Sequence, residues 1–346
     1  MRKNVKMFLV LALTVFMGIG ILALNAAKSE AKSEKVYKLR MQVLFGPAMM
    51  WQYQPFIDYC REASNGRLII EPYAGGQLVP IDQMLDACAE GTLDIGGGAG
   101  GYWSNIIPVA DIEGGLPYAL RTCTDVNTFF YQRGFLDLCR EAYAKHGVYY
   151  LGPQMVDFAY IMAKKPVRSL ADLRKLKFRA VPNIGKMLGK AGVSAVYLSS
   201  TEVYMAISTG TLDGVIYGGA VAAESMSYQE VAPYYMTPPI SPAIQDLIIG
   251  MKRWNSLPKD LQTILELATQ AENMYLQIVN WDLEFKTRQK MMKKNNLQVV
   301  NMDDELVNTL TQHATELWDD VGKRGPLAQK GIKMLKDYLR EVAYIK

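Results

Sequence analysis

The chain is predicted to be an α/β protein of two similar modules of parallel-leaning sheet with one long helix reaching across them. Three observations predict it. A strand-helix-strand-helix-strand order near the start returns in the middle of the chain. The tetrapeptide Gly-Thr-Leu-Asp stands at 91–94 and again at 210–213, each time between a helix and a short apolar strand that runs into a glycine-rich bend. After Ser256-Leu257-Pro258, apolar residues recur through Leu261, Leu265, Leu276, Val279 and Leu283 to Met292 with no Gly or Pro between. A helix of about 35 residues reaches roughly 50 Å, longer than one small domain is wide. It therefore spans both modules or protrudes. Its spacing is read as keeping no strict heptad, with Trp281 and Phe285 widening the apolar face, so a brace between two domains is expected rather than a coiled-coil arm.

In the first module Tyr37 to Val43 alternates as a strand does, and an amphipathic run through Trp51, Phe56, Ile57 and Cys60 follows Gly46-Pro47 and ends at Asn65-Gly66. Leu68 to Glu71 is a second strand, Met84, Leu85 and Cys88 mark a helix, and Ile95 opens the glycine-rich bend. In the second module Lys177 to Val181 and Ser194 to Leu198 are strands, while Ile184 to Lys190 and Glu202 to Ser208 are helices.

The 346 residues, 50% hydrophobic and 21% charged, can bury more core than one small domain needs. Four Cys cannot make a disulfide scaffold in so long a chain, and pairing of Cys60 with Cys88 or Cys123 with Cys139 stays open against free thiols. Only His146 and His313 are present, which argues against a His-rich metal centre and leaves a Ser-His or Cys-His enzyme almost no choice of base. Arg2, Lys3 and Lys6 precede an uncharged stretch from Met7 to Leu24, the pattern of an export signal cut after Ala26, Ala27 or Ala31. Residues 1–27 are accordingly read as a signal peptide, with an uncleaved membrane anchor as the alternative, and the mature protein as exported, to the periplasm on the resemblance given below. Without them the chain keeps 35 bases against 34 acids, a net charge of +1, and no nucleic-acid partner is expected.

Gly96-Gly97-Gly98-Ala99-Gly100-Gly101 lacks the Gly-Lys-Ser/Thr ending of a phosphate loop. Its glycines instead suit close approach of backbone to a small ligand or a hinge, and Tyr102 and Trp103 either wall a pocket or pack in the core. Arg179 lies at the end of a strand that Pro182 closes. Strand ends of α/β domains face the crevice where ligands collect, and a guanidinium fork holds a carboxylate or sulfonate bidentately. Asp94 and Asp213 fall at equivalent points of the two modules, which suits turn-capping better than a shared acid–base site. Lys286 to Lys294 reads as the solvated face of the long helix.

The run from Arg168-Ser169-Leu170-Ala171-Asp172 to Phe178-Arg179-Ala180-Val181-Pro182, with Glu202-Val203-Tyr204 leading into Gly210-Thr211-Leu212-Asp213-Gly214, resembles the extracytoplasmic solute-binding proteins of tripartite ATP-independent periplasmic (TRAP) transporters, the DctP-type family. The likeness covers nearly the whole mature chain, including Gly75-Gly76-Gln77-Leu78 and the helix after Leu257-Pro258. It is greatest toward the 2-oxo acid and lactate branch, through Gly101-Tyr102-Trp103 and Tyr234-Tyr235. The resemblance implies a two-lobed, Venus-flytrap fold closing on a ligand, with residues 36–157 and about 243–285 in lobe I and residues 158–242 and about 286–346 in lobe II. It implies that Arg179 clamps the ligand's carboxylate and that small and large membrane subunits are partners. Transport rather than catalysis follows, with a periplasmic sensor subunit or a secreted enzyme on a small organic acid as alternatives. The expected ligand shell is Arg179 with Phe158, Tyr102, Trp103, Tyr217, Ile216, Gly218 and Phe45. Many family members carry a second Arg, or a Gln in the oxo-acid branch, where this chain has Phe158. The branch's metal-binding Glu-Trp pair falls on Ile216-Tyr217 and a further Glu on Pro242. None of these is a good donor for a hard cation, so a metal-free site for a small monoanion is expected, with no cofactor.

Overall fold

The computed structural model describes residues 35–198 and 200–345; the expected signal peptide lies outside them. The first module is β1 (Tyr37–Val43), α1 (Gln54–Ala63), β2 (Leu68–Tyr73), α2 (Met84–Glu90) and β3 (Ile95–Gly98). After α3 (Val109–Glu113) and α4 (Phe135–Ala144) comes β4 (Val148–Ala163), and the second module follows as β5 (Lys177–Arg179), α5 (Pro182–Lys190), β6 (Ser194–Val196), α6 (Ser200–Ser208) and β7 (Gly214–Tyr217). The chain closes with β8 (Tyr234–Gly250), α7 (Lys259–Lys294), β9 (Gln298–Asn301), α8 (Asp304–Gly322) and α9 (Pro326–Glu341).

β1 pairs in parallel with β2 and β3, and β5 in parallel with β6 and β7, so each module is a small parallel sheet. β4 and β8, of 16 and 17 residues, run antiparallel along nearly their whole length and join the two, giving the order β2-β1-β3-β8-β4-β7-β5-β6 with β9 beside β8. One end of β8 pairs with β3, Ile249 opposite Ile95, while the far end of β4 pairs with β7, Ile161 opposite Ile216. At about 3.3 Å per residue each long strand reaches roughly 50 Å, the length of the helix that covers them. These strands are the element the sequence concealed. Gly152-Pro153 breaks the pattern of β4, and Pro238, Pro239 and Pro242 argue against a strand in β8. The register shifts at Tyr150/Gly152, Met155/Asp157 and Ala159/Ile161 let the ladder absorb these interruptions.

The two Gly-Thr-Leu-Asp segments share the same turn and the same clamp. Gly91 and Gly210 end α2 and α6 in the left-handed region at φ 91° and 82°, where a side chain would be strained. Leu93 and Leu212 are fully buried, and their N–H groups donate to Ala87 and Ala206 at 3.1 and 2.9 Å. The Asp94 N–H donates to Arg40 O and its carboxylate accepts from Arg40 N at 2.8 Å; Asp213 makes the same pair with Lys177, accepting its N–H at 2.9 Å. Each Asp therefore clamps the turn to the neighbouring parallel strand. That is a more specific job than the expected turn-capping, and no acid–base work remains for either carboxylate.

α7 spans the 36 residues from Lys259 to Lys294, packing on α1 near its start and on β4 further along. Leu261, Leu265, Leu276 and Met291 are buried on its inner face. The helix pair after it does not stay in one module. α8 lies on α5, whereas α9 lies on α3 and α4, with Gly331 against Ile112, Leu138 and Phe135. The apolar face of α9 meets the apolar faces of α3 and α4. All four cysteines are free, and Cys60, Cys88 and Cys139 are buried.

Candidate functional site

β5 is short because Pro182 opens α5 three residues after Arg179. The Ser169–Asp172 capping box begins the short helix Leu170–Leu173 that leads into β5. Arg179 is only 5% exposed. Its Nε donates to the Leu198 carbonyl at 2.9 Å and its Nη1 to the Ile216 carbonyl at 3.4 Å, which fixes the plane of the fork. The rings of Tyr197 and Tyr217 flank the guanidinium with centroids 5.4 and 5.7 Å away. Among the described residues no carboxylate pairs with it, so a buried cation stands without a counterion. Such a charge is costly unless an anion joins it.

Tyr102, exposed on the first module, completes the group. Burial raises its phenol above the ordinary tyrosine range, and the phenols of Tyr197 and Tyr217 add to the effect. Tyr217 stands edge-on to Tyr228, whose hydroxyl donates to Ser200 O at 2.6 Å. Tyr197 was not among the residues expected from sequence. Its signal was available, since it directly follows β6, the strand paired with β5, on the carbonyl side that holds Arg179.

The other expected residues are distributed unevenly. Ile216 is buried and contributes its carbonyl rather than its side chain. Gly218 follows Tyr217 directly, close to the Asp157 carboxyl. Phe45 leaves β1 beside Tyr53, ring centroids 6.5 Å apart, and its carbonyl accepts from Gly75 N. Trp103 departs from expectation. It is 1% exposed, its Nε1 donates to the Tyr143 hydroxyl at 2.8 Å, and a Cβ on Gly98 would collide with its ring. The glycine-rich bend is thus glycine so that Trp103 and, at Gly100, the Glu113 carboxyl can lie directly on the backbone. Trp103 supports the floor from below and does not line the crevice.

Phe158 sits in β4 opposite Pro242 of β8, and Tyr160 and Ile161 sit opposite Tyr217 and Ile216. Phe158 also lines a small cavity with Met155, Asp157, Tyr160, Trp281 and Glu284 under α7. The Asp157 carboxylate accepts from Phe158 N at 2.7 Å and from Gly219 N, and Glu284 accepts from Ala220 N and, at 2.9 Å, from the Tyr235 hydroxyl. Burial and the nearby Glu284 push Asp157 up to about 7. This knot ties β4, the start of the 220–225 helix and α7 together at the middle of the long strands. Among the described residues no three His, Cys, Asp or Glu side chains are grouped to hold a metal ion, and no helix is long and apolar enough to cross a membrane. Asn183 of α5 donates to Asp111 of α3 at 3.0 Å, and Arg324, between α8 and α9, also bonds Asp111.

A relative from Nostoc sp. strain PCC 7120, a monocarboxylate 2-oxoacid-binding periplasmic protein, is 30% identical over 222 residues, covering 62% of this chain; the match spans 59% of the relative's own length. A TRAP periplasmic solute-binding protein from Chromohalobacter salexigens, solved with (S)-(+)-2-amino-1-propanol, superposes with a TM-score of 0.76 at 27% identity, covering 89% of this chain and 97% of that one. Another from Colwellia psychrerythraea, solved with calcium and pyruvate, has the same fold, with a TM-score of 0.78 at 23% identity over 89% of this chain and 96% of that one. The family model of the bacterial extracellular solute-binding proteins, family 7, matches residues 50–324. With the two-module sheet, the bridging strands and this match together, the chain belongs to that family, the DctP family of TRAP solute-binding proteins.

Proposed function

We propose that the protein is the periplasmic solute-binding component of a TRAP-type secondary transporter and captures a small organic monoanion, a carboxylate or sulfonate, between its lobes. The observation that carries this reading is Arg179, buried, held in plane by two carbonyls, flanked by Tyr197 and Tyr217, and without a carboxylate partner among the described residues. The lobes divide at 157/158 in β4 and 242/243 in β8, next to the register shift at Met155/Asp157. Closure brings Tyr102 from one lobe over the guanidinium of the other, and the closed form is what small and large membrane subunits distinguish from the open one. The Nostoc relative's monocarboxylate supports the ligand class.

The site takes its anion without metal. Calcium or sodium accompanies pyruvate in two of the solved structures with this fold. By the family resemblance the metal-side positions fall on Phe158, Ile216, Tyr217 and Pro242; the Ile216 carbonyl already accepts from Arg179, and the Asp157 carboxylate beside Phe158 is taken up by two N–H groups. A divalent ion next to Arg179 would meet desolvation and repulsion with no carboxylate to offset them.

A thermal-shift panel of monocarboxylates, sulfonates, dicarboxylates and amines tests the reading, since a ligand bound only by the folded form raises its apparent stability. Monoanions should raise the melting temperature, and a panel in which no monoanion does so refutes the proposal. For the ligand so found, affinity by calorimetry should be unchanged after exhaustive chelation and dialysis. A loss restored by calcium or sodium would overturn the metal-free site while leaving the transport role standing.

A further inference from the structure

Against the glycine-rich bend, two carboxyls face each other in the core. Glu113 of α3 and Asp246 of β8 are both fully buried. One hydroxyl touches both, since Tyr143 donates to Glu113 Oε2 at 2.9 Å and lies 3.4 Å from Asp246 Oδ2. The two carboxyls also hydrogen-bond each other, and among the described residues no Lys, Arg or His bonds either. Their four oxygens meet three hydrogens: the Tyr143 hydroxyl, the Tyr150 hydroxyl at 3.3 Å and the Gly98 N–H at 3.2 Å. The bond between the carboxyls needs a fourth, which is a proton of their own. Without it two carboxylates repel each other away from water.

This pair is built into the bend at three points. Gly98 N donates to Asp246 Oδ1, the Glu113 carboxyl lies where a Cβ of Gly100 would stand, and Trp103 Nε1 donates to the Tyr143 hydroxyl that holds Glu113. Tyr102 stands between the second and third, in the tight turn Gly100–Tyr102, with its N–H on the Ala99 carbonyl at 3.0 Å. Nothing else facing the pair supplies a charge. Tyr143 and Cys139 of α4, Tyr150 of β4, Cys88 of α2 and Tyr53 are all kept neutral, because burial raises each of them. Arg140 of α4 is taken up by the Tyr150 carbonyl and Glu266, and Asp111 of α3 by Arg324 and Asn183.

We propose that Glu113 and Asp246 are positioning residues of the anion site: while they share a proton they hold the bend that carries Tyr102, and losing it as pH rises releases the bend. That Tyr102 serves the ligand rests on the function proposed above; the proton switch does not. The held bend keeps protons that solvated carboxyls release above about pH 4. The equilibrium constant for release therefore rises with pH, by about tenfold per unit for each proton lost, until the held pair itself titrates. Ligand affinity falls with the fraction of molecules whose bend is held.

The test uses the mature chain without ligand, so its failure leaves the monoanion reading standing. Amide exchange at Gly98, corrected for base catalysis, should lose protection between pH 5 and 7 relative to Ile95 at the other end of β3. A constant ratio overturns the proposal, and this measurement needs no variant. 4-Trifluoromethylphenylalanine placed at position 102 reports the turn by fluorine NMR, and its resonance should move between pH 5 and 9. Asp246→Asn should abolish that movement, because its amide donates to Glu113 where the proton stood while its oxygen still accepts from Gly98. Glu113→Gln should act likewise and serves if the first variant fails to fold. A resonance that stays fixed in the otherwise native chain, or moves equally in the amide variants, refutes the switch.

Discussion

In the proposed site Arg179 carries the largest share of the binding energy, because its position is set before any ligand arrives. The Leu198 and Ile216 carbonyls hold Nε and Nη1, so little rotamer freedom is lost on binding. Arg179→Ala should weaken binding of the identified monoanion by about 30-fold to several thousand-fold, since losing a buried charged partner costs about 2–5 kcal/mol. Calorimetry checks this, and binding within about threefold of wild type would remove Arg179 from the site. Arg179→Lys should also bind poorly, because an ammonium cannot reproduce the two-carbonyl tether and the fork together. The melting temperature of the unliganded Ala variant should not fall, because a buried cation with no carboxylate partner contributes little to the fold.

At the scale of elements, the repeated turn offers a controlled comparison. Asp213 clamps Lys177 N, while Asp94 clamps Arg40 N and also accepts from Arg253 Nε at 2.6 Å. Asp213→Ala should lower unfolding free energy by about 1 kcal/mol, because the Lys177 N–H it leaves unmet is only partly buried. Asp213→Asn, which keeps an acceptor in place, should cost less. Asp94→Ala should cost more than Asp213→Ala, because Arg253 also loses its partner. Urea unfolding measures all three, and an Asp213→Ala variant within about 0.5 kcal/mol of wild type would show that the clamp is dispensable. The tetrapeptide was visible in the sequence, and the side-chain half of its work was not. Gly91 and Gly210 announce left-handed turns, but which backbone N–H each Asp reaches depends on a strand more than thirty residues away.

Across the whole molecule, three buried carboxyls and the half-buried Asp157 set the response to pH. Burial raises Glu113 well above the ordinary carboxylate range, and the adjacent Asp246 carboxylate adds to it. Burial pushes Asp246 up to about 7, opposed by hydrogen bonds from Gly98 N and Tyr143. Glu272 is raised by burial as well, and Asp157 lies up at about 7. Unfolded, such groups titrate near about 4. Between about pH 4 and 7 the folded protein therefore holds protons that the unfolded chain has released. Stability is full below the unfolded value and falls as pH rises through the folded one, by about 1.4 kcal/mol per pH unit for each such proton. Urea unfolding at pH 5 and pH 8 should show the higher stability at pH 5, and Asp246→Asn should reduce the difference. A protein equally stable at both values, or more stable at pH 8, would contradict the assignment.

What the sequence determined by itself was local or periodic. The two modules, the repeated Gly-Thr-Leu-Asp turns, the helix from Lys259 to Lys294 and the strand-end position of Arg179 all follow from spacing, propensity and punctuation within a few tens of residues. The tertiary structure alone decided what depends on residues far apart in the chain. Prolines disguised β8, which becomes a strand only because β4 offers it a partner along its length. Trp103 could have walled a pocket or packed a core until Gly98 and Tyr143 were seen to enclose it. Tyr197 and Tyr217, twenty residues apart, reach one guanidinium through neighbouring strands. α7 reads as one broad apolar helix because sequence superimposes its two faces. Packing against β4 separates them, burying Leu265, Leu276 and Met291 and leaving Leu267, Met274, Ile278 and Trp281 in solvent.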